Sequence, residues 1–277
     1  MRCIILFSYC LLIVNSICAQ SPQDAGIYPP DMDKYTVLDS ANYKFIYEFT
    51  YLPDTLKLNS PMKNQLILEL GNKISRFYSA DYFIKRVVSG KVMNADSGVR
   101  LSPGHGLNGT EIYKNYKEKK ETITTRVSGT AEIFTYEEDI PLLKWQITRE
   151  TATILSYSCT KAITTFRGRT FEAWFTMEIP ISNGPWKLGG LPGLILKTSD
   201  RDGFFKFTCI GIEALKIKEP IVKYEGKYVA TSRKNINRLV RNLHENSIQT
   251  YEGMGLIYIG DKSKPKMPKP YNPIERE

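Results

Sequence analysis

The stretch Asn42-Tyr43-Lys44-Phe45-Ile46-Tyr47-Glu48-Phe49-Thr50-Tyr51-Leu52 places five aromatic residues, Tyr43, Phe45, Tyr47, Phe49 and Tyr51, at alternate positions, with Lys44, Glu48 and Thr50 between them. A period of two is the signature of a strand with one buried and one wetted face, because successive side chains of a pleated backbone point to opposite sides. Aromatic and β-branched side chains fit such a surface better than a helical stripe. Pro53-Asp54 ends the run.

Beyond that break, segments 65–70 and 73–79 read as two extended runs around Gly71-Asn72, a dipeptide suited to the tight turn of a β-hairpin. One helix over 62–78 is the competing reading, and the mid-helix glycine would cost it about 1 kcal/mol. Segment 81–88 is expected to form a short helix. Residues 89–110 loosen into a Gly, Asn, Ser and Pro loop that carries His105. Strand patterns then recur at 122–127, 131–136, 145–149, 153–164, 171–176, 194–198 and 204–213. Arg167-Gly168-Arg169 and Asp200-Arg201-Asp202-Gly203 supply turns. Thr231-Ser232 offers an N-cap to a helix over 235–245, where Ile236, Leu239, Val240 and Leu243 keep helical spacing. The predicted fold is mainly β: an antiparallel meander forming a curved sheet or open barrel with one or two short helices.

Among the 277 residues 42% are hydrophobic, 12% aromatic and 24% charged, which excludes a disordered or collagen-like chain. Met1-Arg2, the apolar run to Val14 and the ending Ile17-Cys18-Ala19 read as a signal peptide over 1–19, cleaved before Gln20. Lipoprotein processing at Cys18 is the rival. The remainder divides into one β domain over 20–260 and a Pro/Lys-rich tail over 261–277. The expected location is the periplasm or association with the outer membrane, with no transmembrane span in the mature chain. The formal net charge of +9 is dispersed among carboxylates, and neither a nucleic-acid partner nor a cofactor is expected. Cys159 and Cys209 remain after cleavage, as one disulfide or as two buried free thiols. His105 and His244 are the only histidines, and no metal-ligating pattern surrounds them.

Gly184-Pro185-Trp186-Lys187-Leu188-Gly189-Gly190-Leu191-Pro192-Gly193-Leu194-Ile195-Leu196 concentrates the unusual chemistry. Leu191-Pro192-Gly193-Leu194 suits a type II turn with φ > 0 at Gly193, leading into a strand buried on both faces. In the alternative reading the glycines let a ligand approach the backbone between Trp174 and Trp186. The hexapeptide Gly190-Leu191-Pro192-Gly193-Leu194-Ile195, with Phe166-Arg167-Gly168-Arg169, the strand around Trp174 and the terminal Tyr271-Asn272-Pro273-Ile274-Glu275, resembles the GLPGLI family of exported Bacteroidota proteins. That resemblance implies an envelope protein and supplies no reaction.

Three functions fit these features. The first is a binding or carrier protein for an apolar or peptide-like ligand, similar in element order to LolA-type open barrels. The second is an accessory subunit docking on an outer-membrane partner. The third is a hydrolase, for which Glu137, Glu138 and Asp139 are candidate paired carboxylates. The expected ligand or partner surface comprises Arg169, Trp174, Trp186, Gly190, Pro192 and Gly193.

Overall fold

The computed structural model describes residues 34–80, 106–127, 132–255 and 268–276. The leader, the expected helix at 81–88, His105 and residues 261–267 of the Lys/Pro tail lie outside the described residues. The strands are β1 (Tyr35–Tyr51), β2 (Met62–Leu70), β3 (Ile74–Ser79), β4 (Thr110–Asn115), β5 (Lys120–Arg126), β6 (Glu132–Asp139), β7 (Gln146–Ile154), β8 (Tyr157–Phe166), β9 (Arg169–Thr176), β10 (Leu194–Asp200), β11 (Phe205–Tyr224) and β12 (Lys227–Ala230). Two short helices follow, α1 (Arg233–Glu245) and α2 (Ser247–Gly253). The mainly β, open and largely antiparallel architecture is the one the alternation predicts.

The strands form one sheet in the order β12-β6-β5-β4-β3-β2-β1-β11-β10-β9-β8-β7. Two meanders therefore meet at the β1–β11 pair, and β12 joins β6 in parallel. Strands β6 and β7 stand ten places apart, about 48 Å in a flat sheet. The six residues between them, 140–145, span at most about 25 Å. The sheet must curl until its two ends approach, and its inner face becomes a bowl.

Phe45, Tyr47, Phe49 and Tyr51 of β1 line that inner face with Phe171 and Phe175 of β9 and Phe205 and Phe207 of β11, all buried. Phe49 stacks on Phe207 with ring centroids 4.5 Å apart. The opposite face of β2–β5 is also covered. There the far ends of β1 and β11 fold over a buried ionic network in which Arg76 and Arg126 hold Glu111. The Tyr113 hydroxyl ties that network to the overlying strand by donating to the Val222 carbonyl at 3.0 Å.

Three local details differ from the sequence reading. The predicted strand 153–164 is two strands, because Leu155 and Ser156 make a tight turn with φ of 48° and 69°. Strand β4 occupies a stretch with no predicted strand. The hairpin at Gly71 turns over three residues rather than two, with Gly71 N–H donating to the Ile74 carbonyl and the Asp39 carboxylate accepting from Lys73 and Ile74. Helix α1 starts as expected, the Ser232 hydroxyl accepting from Asn235 N–H. Among the described residues no helix is long and apolar enough to cross a membrane.

Candidate functional site

The loop between β9 and β10 runs through the bowl. Residues 183–188 are all buried, which is costly for a loop unless its polar groups find partners. They do. Asn183 accepts from Gly184 N–H and from the Lys114 ammonium, and donates to Ser75 and Tyr116. Lys114 also donates to the Leu188 carbonyl, and the Trp145 indole to the Gly189 carbonyl. Trp186, at φ 56°, wedges between Phe166 and Phe171.

Glycine serves this loop in a way the type II turn does not describe. Gly190, not Gly193, has positive φ, 85°. A Cβ on Gly193 would collide with the Thr176 carbonyl, so the requirement there is close backbone approach. Strand β10 then continues with Leu194, Ile195 and Leu196 all buried, as expected.

Next to Trp186 the loop carries Lys187 into the interior. Its ammonium donates to Glu138 at 2.5 Å, Tyr136 at 3.0 Å and Glu275 at 2.7 Å, with Glu121 at 3.9 Å. Strand register explains the convergence: Glu121 of β5 faces Glu138 of β6 directly, and Ile123 faces Tyr136. Arg167 from the β8–β9 turn donates to Glu138 at 2.9 Å, joining the two ends of the curled sheet. Glu275 arrives on a C-terminal strap, residues 268–276, that crosses the bowl.

The electrostatics divide the two carboxyls. Burial pushes Glu121 up to about 7, more than Lys114 and Lys187 pull it down. Neither Glu121 oxygen accepts a hydrogen bond from the protein, and its acid form donates to Glu138. Burial acts on Glu138 in the same sense, but Lys187 and Arg167 outweigh it and hold that carboxyl below the ordinary Glu range. Burial lowers Lys114 to about 8. For Lys187, burial is overcome by Glu275, Tyr136, Glu121 and Glu138, which keep it charged. Two carboxyls with pKa values driven apart constitute a proton donor beside a proton acceptor.

A cavity of about 130 Å³ adjoins the cluster, lined in part by Tyr51, Tyr136, Lys187, Ile236, Tyr271 and Glu275. Helix α1 and the strap roof it, with a His244 ring nitrogen hydrogen-bonded to the Val240 carbonyl and the ring stacked obliquely on Tyr271. No group of three or more metal-ligating side chains occurs among the described residues.

The residues singled out from sequence do not share one surface. Arg169 lies on the inner face and grips the strap: it pairs with Asp200 at 2.7 Å and donates to Asn272 and to the carbonyls of Pro273 and Ile274. Trp186 is buried on that face. Trp174 is on the opposite face, half-buried, with the Lys161 ammonium 5.9 Å from its ring centroid. Gly190 and Pro192 are exposed parts of the β9–β10 loop, which plugs the bowl and is called the plug loop below, and Gly193 is buried beneath Thr176. Cys159 and Cys209 are free buried thiols, separated by β9 and β10. Of the acidic run, Glu138 enters the cluster while Glu137 and Asp139 have no part in it. Glu121, Tyr136, Lys187 and Glu275 were not anticipated. The one available signal was a lysine flanked by Trp186 and Leu188 in a glycine-rich apolar loop.

Comparison with known proteins changes the family reading. The family model that matches is that of the N-glycanase peptide, N-terminal domain, over residues 109–239. This overturns the resemblance to the GLPGLI family, since the matched region includes the Gly190–Ile195 hexapeptide itself. Two solved structures of PNGF-II, in P21 and C2 space groups, each match with TM-score 0.48 and 16% identity. They cover 73% and 72% of this chain and 33% and 32% of theirs, so the chain spans about a third of their length. A crystal structure of MucB in complex with MucA(peri) matches with TM-score 0.29 and 9% identity over 64% of this chain and 50% of that one. No curated protein matches.

Proposed function

We propose that this chain works in glycan hydrolysis, with Glu121 and Glu138 as a coupled proton donor and acceptor and Lys187 as the cation that sets their charge. One coincidence carries the reading. The stretch similar to an N-glycanase N-terminal domain, 109–239, contains both members of the split carboxyl pair and the lysine between them. Hydrolysis of a glycosyl linkage needs one group to protonate the leaving atom and another to take a proton from water. Glu138 is the member that meets solvent, its side chain 18% exposed against 0% for Glu121. Glu138 therefore faces the substrate and plays both parts in turn, taking a proton from water and returning it to the leaving atom, while Glu121 keeps its own proton and donates a hydrogen bond to Glu138. Export directed by residues 1–19 is part of the proposal and sets this work outside the cytoplasm.

The experiment incubates the purified protein with N-glycosylated peptides and follows released glycan by mass spectrometry. Wild type should release glycan, and Glu138→Gln should slow release by about a hundredfold without moving the melting midpoint by more than a few degrees. Absence of release from every glycopeptide by well-folded wild type overturns the reading and returns the carrier and accessory roles to first place.

A further inference from the structure

Among the carboxylates of the cluster, Glu275 alone comes from outside the sheet. Its carboxylate sits in a socket of three cations drawn from separate elements: Lys187 of the plug loop at 2.7 Å, Arg233 of α1 at 3.3 Å and Arg167 of the β8–β9 turn at 3.8 Å. The fit is incomplete. Arg167 Nε is buried without a hydrogen-bond partner, and 3.8 Å from Glu275 is too long to satisfy it. Glu121, fully buried against the same lysine, also accepts no hydrogen bond. Since Glu121 commits its proton to Glu138, the orphan that faces the socket is the Arg167 donor, and it marks a place whose polar groups are arranged for something other than Glu275.

We propose that this socket is a carboxylate-binding subsite for an acidic sugar, occupied by Glu275 of the strap when the sugar is absent. The carboxylate recognition stands on the geometry alone; the choice of a sugar rests on the glycan reading above. Arginine and lysine converging from three directions suit a planar anion. With Glu275 withdrawn, the surplus of positive charge is left to a ligand carboxylate. The adjoining cavity, about 130 Å³, opens directly beside the socket, with Lys187 and Glu275 in its lining. Its lining includes Thr125 and Tyr136, whose hydroxyls can hydrogen-bond to ring hydroxyls. An acidic peptide side chain would use the socket and leave those groups idle.

The strap is fastened independently of Glu275, through Arg169 to Asn272, Pro273 and Ile274 and through Arg276 N–H to the Arg167 carbonyl. Replacing Glu275 alone thus empties the socket while the covering segment stays anchored. The test titrates full-length wild type, Glu275→Ala and Glu275→Gln with D-glucuronate, D-glucose and glutarate by calorimetry. Glucuronate should bind Glu275→Ala at least tenfold more tightly than wild type, glucose should show no such gain, and Glu275→Ala combined with Lys187→Met should lose the gain. A folded Glu275→Ala variant with wild-type affinity for glucuronate overturns the subsite. If that variant does not fold, Glu275→Gln, which keeps the shape and removes the charge, must show the gain, and its absence is equally fatal. Glutarate binding as tightly as glucuronate overturns the sugar assignment. Because the readout is binding, failure of glycan release leaves this result standing, and failure here leaves the hydrolysis assay untouched.

Discussion

Gly193 passes so close to the Thr176 carbonyl that there is no space between them for a methyl group. The contact joins the start of β10 to the end of β9 and fixes where the plug loop leaves the core. Because the obstacle is backbone on both sides, neither partner has a rotamer with which to yield. Gly193→Ala should cost about 1–3 kcal/mol or more, measured as a lower urea midpoint. Gly190→Ala, exposed and facing open space apart from Trp145, should cost about 1–2 kcal/mol for its positive φ alone. A Gly193→Ala variant as stable as wild type would show that the strands can separate there.

Arg169 is the fastening of the strap. Its side chain is 1% exposed, its partner Asp200 equally so, and its ring neighbour Phe205 lies 4.5 Å from the guanidinium carbon. Lysine supplies one point charge and cannot serve Asp200 and three strap acceptors at once. Arg169→Ala leaves a buried carboxylate unpaired and should cost about 3–5 kcal/mol. Arg169→Lys should cost less yet still raise amide exchange at Arg276, whose N–H donates to the Arg167 carbonyl. Unchanged exchange there in Arg169→Lys would mean that the strap is held by Tyr271 and Ile274 packing instead.

How far the sequence could be read follows from which forces are local. Aromatic alternation over 43–51 predicts β1 correctly because burial on one face imposes its period directly on the chain. The Ser232 cap and the Arg167-Gly168 turn were equally legible, each being a short-range backbone requirement. The Leu155-Ser156 turn was not, since its two positive φ values fall on residues without the glycine or asparagine that normally announce them. Glu121 was hidden for another reason. Around it β5 reads Lys120-Glu121-Thr122-Ile123-Thr124-Thr125, polar on both faces, so no pattern says that the glutamate points inward. Its partners Lys187 and Glu275 are brought to it only by the curl of the sheet and the path of the strap.

Glu121 also makes stability depend on pH within a defined window. Burial raises its folded pKa from the ordinary 4.5 to about 7. Between those values the fold holds a proton that the unfolded chain has released, so stability falls as pH rises through the interval. Below it the contribution is fully present, and above 7 it is lost. His244, lowered by burial, acts in the opposite sense near its own pKa, and Lys114, lowered to about 8, adds stability between there and 10.5. Comparison with Glu121→Gln isolates the first effect. The variant's melting midpoint, relative to wild type, should rise from pH 5 to pH 7.5; a constant difference would mean that Glu121 is ionised in the fold.

Trp174 and Trp186 share one surface in the sequence reading, and the sheet separates them. Trp186 is 2% exposed, on the inner face, packed on Phe166 and Phe171 at 5.5 and 5.6 Å between centroids. Its removal opens a cavity that the surrounding strands, pinned by their hydrogen bonds, cannot collapse to fill. Trp186→Ala should cost about 3–5 kcal/mol. It should also loosen the neighbouring Lys187, so that the pH dependence assigned to Glu121 changes along with the midpoint. Trp174 stands on the other face beside Lys161, which also pairs with Glu150 and Glu172. There the ring contributes a half-buried surface and a cation contact, together worth about 1 kcal/mol. Urea unfolding of both alanine variants at pH 5 and pH 7.5 measures the difference. Equal losses, or a pH response in Trp174→Ala, would mean that the two faces communicate through β9 and that the plug loop is not the sole support of the lysine.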